Sequence, residues 1–219
     1  MGDYPVIWRM EGRCGLVVGA GPVGRRKALG LLAAGARVRM VALQTPEQPL
    51  AAGIEVLIEP FRPAHLDGMF LAIAATGRCA VDEAVAAAAR QRSIPVALAG
   101  QPENGDFTLP AVLRRGDLTV TVATAGRSPA LAAALRDRLG AWLPSAWDQV
   151  LDLAEALRRR TAQGSPTVTA GVLGRLLDNG LAEAFAVGEL ATVDLLLQNE
   201  FGPDCTLARL GLGKEPHES

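Results

Sequence analysis

The run Cys14-Gly-Leu-Val-Val-Gly19-Ala-Gly21-Pro22-Val23-Gly24-Arg-Arg-Lys-Ala constrains the fold of this chain more than any other stretch. A short apolar strand-like run ends on Gly19, and helical composition begins near Pro22, so the three glycines fall at a strand-to-helix turn. Gly19 permits a tight turn, Gly21 leaves room for a phosphate to approach the backbone, and Gly24 lets the helix pack close to the strand. The N–H groups and positive dipole end of that helix suit an anion. The turn predicts entry into a parallel sheet and a dinucleotide pyrophosphate site, with a purely structural glycine-rich turn as the alternative.

From Arg13 to about Leu98 the chain alternates short apolar runs with alanine-rich stretches, the pattern of βαβ units. Strands are expected at 14–18, 37–43, 54–58, 69–75 and 95–99, with helices at Val23–Ala34, ending in a Gly35 cap, and at Ala80–Gln91. The link between the third and fourth strands, with Pro60, Pro63 and Gly68, is too short for a long helix. After Gly100 the pattern changes. Asp106–Leu113 and Leu118–Ala123 read as strands of a hairpin turning through Arg114-Arg115-Gly116-Asp117. A helix begins at Ser128-Pro129 and runs to about Leu143. Helices follow near 145–161, 167–178, 181–187 and 189–199, and the tail from Lys214 is expected to fray.

With 219 residues, 49% hydrophobic and 21% charged, the chain has material for a packed core and is far from disordered composition. No apolar run approaches the roughly 18 to 20 residues of a membrane helix. The N-terminus lacks a basic stretch ahead of an apolar one, so a cytoplasmic protein with no membrane partner is expected. Cys14, Cys79 and Cys205 are odd in number and widely spaced, which predicts free thiols and neither a disulfide framework nor a cysteine zinc site. His65, the one histidine outside the tail, is expected to be structural or solvated, and no metal site is read. The net charge of -1 argues against a nucleic-acid partner, but residues 1–144 carry +4 and the remainder -5. The basic part is the part that would meet an anionic ligand.

An acid for the adenosine ribose would stand near the end of the second strand, where this chain has Leu43-Gln44. Arg37 and Arg39 open that strand, roughly 16 Å from its carboxyl end at about 3.3 Å per residue. That spacing favours NAD, its ribose held by Gln44 and backbone groups, over NADP.

Taken in order, Tyr4-Pro5-Val6, the Gly19–Gly24 turn with Arg26-Lys27-Ala28, Leu71-Ala-Ile-Ala-Ala-Thr76, Phe107-Thr-Leu-Pro110-Ala and Thr124-Ala-Gly-Arg-Ser128-Pro129-Ala resemble the precorrin-2 dehydrogenase family. That family includes the dehydrogenase and ferrochelatase portion of siroheme synthases, and the resemblance covers roughly residues 3–160. It implies an α/β fold: an N-terminal Rossmann-like parallel sheet binding NAD (1–105), a small strand-containing dimerisation region (106–143) and a C-terminal helical region (144–213). It implies a homodimer that oxidises precorrin-2 to sirohydrochlorin with NAD. By the resemblance, Gly19, Gly21, Pro22, Val23, Gly24, Leu43 and Gln44 line the cofactor, and Thr76 stands beside its nicotinamide half. Thr124, Arg127 and Ser128 face the anionic tetrapyrrole. Arg127 and the helix N-terminus at Ser128-Pro129 give that last assignment independent chemical sense.

The chain departs from the family at one place. Where the family has an Asn-Val-Val-Asp type sequence whose aspartate is associated with catalysis, this chain has Ala97-Leu98-Ala99-Gly100. Asp106 is the expected substitute base, with Glu103 as a second candidate on the same loop. Metal insertion also needs an acceptor for pyrrole protons, so Gly100 argues against chelatase activity. Gly100 keeps open a second reading, a tetrapyrrole carrier or regulatory subunit with weakened chemistry. A different Rossmann dehydrogenase or NAD-sensing domain would leave Thr124–Pro129 unexplained.

Overall fold

A computed structural model describes residues 3–46, 49–161 and 168–212. The expected fraying from Lys214 lies outside these residues. The chain divides into two compact units. The first comprises the chain up to Leu109 together with Thr124–Ser128; the second comprises Pro110–Ala123 and the chain from Pro129 onward.

In the first unit, β1 (Cys14–Val18), β2 (Arg37–Ala42), β3 (Ile54–Ile58), β4 (Leu71–Ala74) and β5 (Val96–Leu98) form one parallel sheet in the order β3-β2-β1-β4-β5. Helices α1 (Pro22–Leu32) and α2 (Cys79–Arg90) supply the crossovers. Successive residues of a strand point to opposite faces. Thus Leu16 and Val18 join Val41, Ala72, Ala74, Val85 and Ala89 in one core, while Val17 joins Ala28, Leu31, Val38, Met40 and Ile73 in the other. Alanines on α1 and α2 let both helices approach the sheet closely, and both faces are covered, as an all-parallel sheet requires. The α/β fold expected from the alternating pattern is present. The helix end at Gly35 differs slightly: Ala33 caps α1, and Gly35, with φ 80°, turns the chain two residues later.

In the second unit, β6 (Ala111–Arg115) and β7 (Leu118–Val122) form an antiparallel hairpin. Its first strand begins five residues later than the sequence pattern indicates, and the turn is the pair Gly116-Asp117. The reason is Asp106, whose backbone N–H donates to the Val96 carbonyl (2.7 Å), drawing 106–110 away from the hairpin. Helices α3 (Pro129–Trp142), α4 (Trp147–Thr161), α5 (Ala170–Asp178), α6 (Leu181–Val187) and α7 (Leu190–Phe201) follow. Asp148 in the first turn of α4 accepts the Asp117 N–H at 3.2 Å, tying that helix to the hairpin turn. Leu153, Leu157, Leu176, Leu181, Val193 and Leu197 are fully buried in the helical core. Arg175 and Glu200 clasp α5 to α7 through two bonds of 2.8 and 2.6 Å.

Candidate active site

The strand order reverses at β1: β2 and β3 lie to one side, β4 and β5 to the other. A crevice therefore opens between the carboxyl ends of β1 and β4, the place where open α/β sheets bind ligands. The backbone knits its floor. Gly19 donates its N–H to the Val41 carbonyl (2.8 Å), Ala75 to that of Val18 (2.8 Å) and Ala99 to that of Ala74 (2.9 Å). These bonds set the residues following β1, β2, β4 and β5 side by side.

Gly19 has φ 110°, a conformation open to glycine, and a Cβ there would lie 2.4 Å from the Ala75 carbonyl oxygen and 3.0 Å from the Thr76 Cα. Gly24 is required for a different reason from simple helix-on-strand packing. A Cβ there would lie 2.0 Å from the Gly19 carbonyl oxygen, so Gly24 lets α1 close onto the turn itself. Gly21 caps α1, Pro22 is its first residue, and no acid occupies the first turn. A Cβ at Gly21 meets nothing within 4 Å, so the space before this helix N-terminus is open. Val23 is 38% exposed beside it.

Leu43 and Gln44 follow β2 and are exposed at the same edge. Arg39 pairs across the strands with Glu55 (2.8 Å), which holds it away from the carboxyl edge. Lys27 on α1 has its pKa pushed down, chiefly by burial and then by Arg26.

Thr76 follows β4 and sits in a hydrogen-bonded cluster that the sequence reading missed. Asp82, in the first turn of α2 and only 5% exposed, accepts from the Thr76 hydroxyl (2.7 Å) and the Thr76 N–H (3.1 Å) through the same Oδ1. The Arg78 N–H donates to Thr76 Oγ at 3.1 Å. The available signal was an acid six residues beyond Thr76 on a helix-starting run, a spacing that also fits an ordinary first-turn acid.

Thr124–Ser128 belongs with the first unit. The Thr124 hydroxyl accepts from the Ser128 N–H (3.2 Å) and donates to the Ser128 carbonyl (3.1 Å), closing the loop on itself. Ala125 (φ 49°) and Gly126 (φ 74°) are both left-handed, a strained choice for alanine of the kind found at ligand-binding turns. A Cβ on Gly126 would meet Pro102 at 3.6 Å, so the loop lies over the turn Pro102–Asn104 that follows β5. Arg127 is exposed on this loop, and Ser128 directly precedes α3.

Asp106 lies elsewhere. Its Oδ2 accepts from the N–H of Val96, the first residue of β5, at 3.0 Å, and its Oδ1 from Arg90 at 3.2 Å. It therefore stands at the amino end of β5, away from the crevice, with both oxygens engaged. Glu103 is exposed on the turn after β5, where it shares the lining of an open groove of about 440 Å³ with Glu83 and Arg90. Gly100 stands just past the carboxyl end of β5, and a Cβ there meets nothing within 4 Å. His65 is buried and structural: its Nδ1 accepts from the Arg62 N–H (3.1 Å), and Nε2 meets Glu59 at 2.7 Å.

A family model described as "Putative NAD(P)-binding" matches residues 6–111, which take in the whole parallel sheet. Siroheme synthase from Pseudomonas entomophila is 35% identical over 203 residues, covering 90% of this chain and 44% of that protein. Siroheme synthase from Nitrosomonas eutropha is 38% identical over 168 residues, covering 74% and 35%. The chain is a homologue of siroheme synthases. The resemblance drawn from the ordered motifs stands on these matches. This homologue spans less than half the length of those relatives. Its fold is shared with SirC, precorrin-2 dehydrogenase, at a TM-score of 0.60 and 24% identity, covering 90% of this chain and 98% of that one. Among the described residues, no helix is long and apolar enough to cross a membrane.

Proposed function

We propose that this siroheme synthase homologue is an NAD-dependent dehydrogenase that oxidises precorrin-2 to sirohydrochlorin in siroheme formation. The observation that carries the reading is the open, glycine-lined helix N-terminus at the sheet's switch point, with the Thr124–Ser128 loop over the turn following β5. The names of the relatives supply the substrate class.

The residues divide the work. The first-turn N–H groups of α1, at Val23 and Gly24, bind the pyrophosphate, with Gly19, Gly21 and Pro22 keeping the approach clear. Leu43 and Gln44 hold the adenosine ribose, and the Arg39–Glu55 pair keeps Arg39 from a 2'-phosphate, which supports NAD over NADP. NAD supplies the hydride acceptor. Thr76 lies beside the nicotinamide half, and Thr124, Arg127 and Ser128 receive the carboxylates of the tetrapyrrole. We assign no chelatase step, because Gly100 offers no acceptor for the pyrrole protons.

On this reading residues 1–105 carry the cofactor, 106–143 the contact of a homodimer and 144–213 a helical accessory region. Leu131, Leu135 and Trp142 on α3 are 52%, 40% and 77% exposed, an apolar stripe that a second copy would cover. Light scattering should give the mass of two chains. A cytoplasmic setting fits the three free cysteines.

Anaerobic incubation with precorrin-2 and NAD, followed by the absorbance of sirohydrochlorin, tests the activity. Gly100 favours one alternative, a carrier that binds the tetrapyrrole without oxidising it. Binding of both ligands with no sirohydrochlorin formed would establish the carrier and end the dehydrogenase reading.

A further inference from the structure

Oxidation of a reduced tetrapyrrole removes a hydride and a proton, so the site needs a proton acceptor besides its cofactor. Gly100 cannot serve, and Asp106 is pinned to Val96 and Arg90 at the opposite end of β5. Among the described residues, Asp82 is the buried carboxylate, and it lies behind Thr76 at the carboxyl edge of the sheet.

The geometry of the pair is specific. A hydroxyl has one proton and two lone pairs. The Thr76 proton has a choice between Asp82 Oδ1 at 2.7 Å and the Arg78 carbonyl at 3.4 Å, and the short bond to a carboxylate is the stronger. One lone pair takes the Arg78 N–H. One lone pair is left, on an oxygen whose proton already points at a carboxylate. Nor is Asp82 the end cap of its helix: α2 is capped at Arg78 without a side-chain bond, and both bonds at Oδ1 come from Thr76.

We infer that Thr76 and Asp82 form a proton relay that stands in for the missing carboxylate, Thr76 as the catalytic group and Asp82 as the positioning residue behind it. This rests on the dehydrogenase reading. As a hydride leaves the macrocycle for NAD with both electrons of its C–H bond, a second bond to hydrogen breaks and its electron pair stays in the ring system as a new double bond. That proton passes to the open lone pair of Thr76 Oγ, while the hydroxyl proton crosses to Asp82 Oδ1. NAD is reduced, the tetrapyrrole is oxidised by two electrons, and the neutral Asp82 carboxyl returns its proton to solvent through Thr76 after product release.

Three variants of the full chain decide it. Asp82→Asn keeps the size and the Oδ1 acceptor but cannot take a proton. Thr76→Val removes the hydroxyl, and Thr76→Ser restores it. The expected result for Asp82→Asn is a kcat about 100-fold lower, within the range of general-base assistance, with melting temperature and calorimetric NAD affinity near the wild-type values. Thr76→Ser should recover most of the kcat that Thr76→Val loses. A kcat for Asp82→Asn within about threefold of wild type, or a loss matched by an equal loss of NAD affinity, overturns the relay. If Asp82→Asn does not fold, the valine and serine variants decide alone, and equal kcat values for the two overturn it. A wild type that binds NAD by calorimetry but forms no sirohydrochlorin defeats the dehydrogenase reading itself. Turnover that survives all three variants defeats only the relay.

Discussion

The two ends of the parallel sheet are built from similar residues to opposite effect. At the amino end, Trp8 packs edge-on against Phe70 and Phe107, with ring centroids 5.3 and 5.1 Å apart, and Arg13 stacks 4.0 Å over Phe70. Asp106 there occupies the Val96 N–H and Arg90. At the carboxyl end the chain presents glycines, an open helix N-terminus, and a carboxylate that binds only a threonine among the described contacts. An aspartate closes the structure at one end and is poised for chemistry at the other. The residue type does not distinguish the two; the strand end does.

The sharpest way to break that contrast is to restore a carboxylate at the open end. Gly100→Asp has room for its side chain. Placed in the Asp82→Asn background, it should raise dehydrogenase turnover about 100-fold in steady-state kinetics, the scale of a recovered general base. No rise would show that position 100 does not face the reacting atoms.

Two glycines of the turn should separate next. Gly21→Asp puts bulk and negative charge before the helix N-terminus without a clash, and calorimetry should show NAD affinity falling at least tenfold, about 1.4 kcal/mol, in a folded protein. Gly24→Ala should lose NAD together with melting temperature, because its Cβ would strike the Gly19 carbonyl. Unchanged NAD affinity in folded Gly21→Asp would end the cofactor assignment.

At the closed end, Asp106→Ala should cost about 1 kcal/mol in denaturant unfolding by stripping the buried Val96 N–H of its carboxylate partner. Its NAD affinity and turnover should hold; lost turnover would return Asp106 to the active site. Arg127→Ala should weaken sirohydrochlorin binding severalfold at low salt, on the scale of about 0.2 to 1 kcal/mol for an exposed ion pair with a carboxylate, and less at high salt. NAD binding should be untouched, and equal loss of both ligands would indicate misfolding.

The smallest expected effect is acidic. The hydrogen bond from His65 and, after it, the charge of Arg62 hold the Glu59 carboxyl below its usual range. A carboxyl depressed in the folded state adds stability above its ordinary pKa, and that contribution is lost as pH falls through the lowered folded value. Glu59→Gln should therefore lower the melting temperature slightly at neutral pH and flatten the acid limb of the profile, the variant and the wild type converging as pH falls below the ordinary carboxyl range. An unchanged acid limb would show that this clasp at the carboxyl end of β3 does not contribute.

What the sequence determined by itself was whatever depends on neighbours a few positions apart. Alternating apolar runs located all five parallel strands to within two residues, the three glycines marked the β1–α1 turn, and the ordered motifs pointed to the siroheme synthases that the chain resembles. The candidate cofactor residues were legible because they follow strand ends, and in a parallel sheet strand ends share one edge. Tertiary structure alone decided which end of β5 Asp106 reaches, because the chain doubles back after Pro102–Asn104 and seats it on Val96. It alone brought Asp82 behind Thr76, and set the start of β6 at Ala111 and not at Asp106. Each of these depends on a long-range hydrogen bond or a chain reversal, and a carboxylate's role is set by the donors it meets after folding, which its neighbours in sequence do not specify.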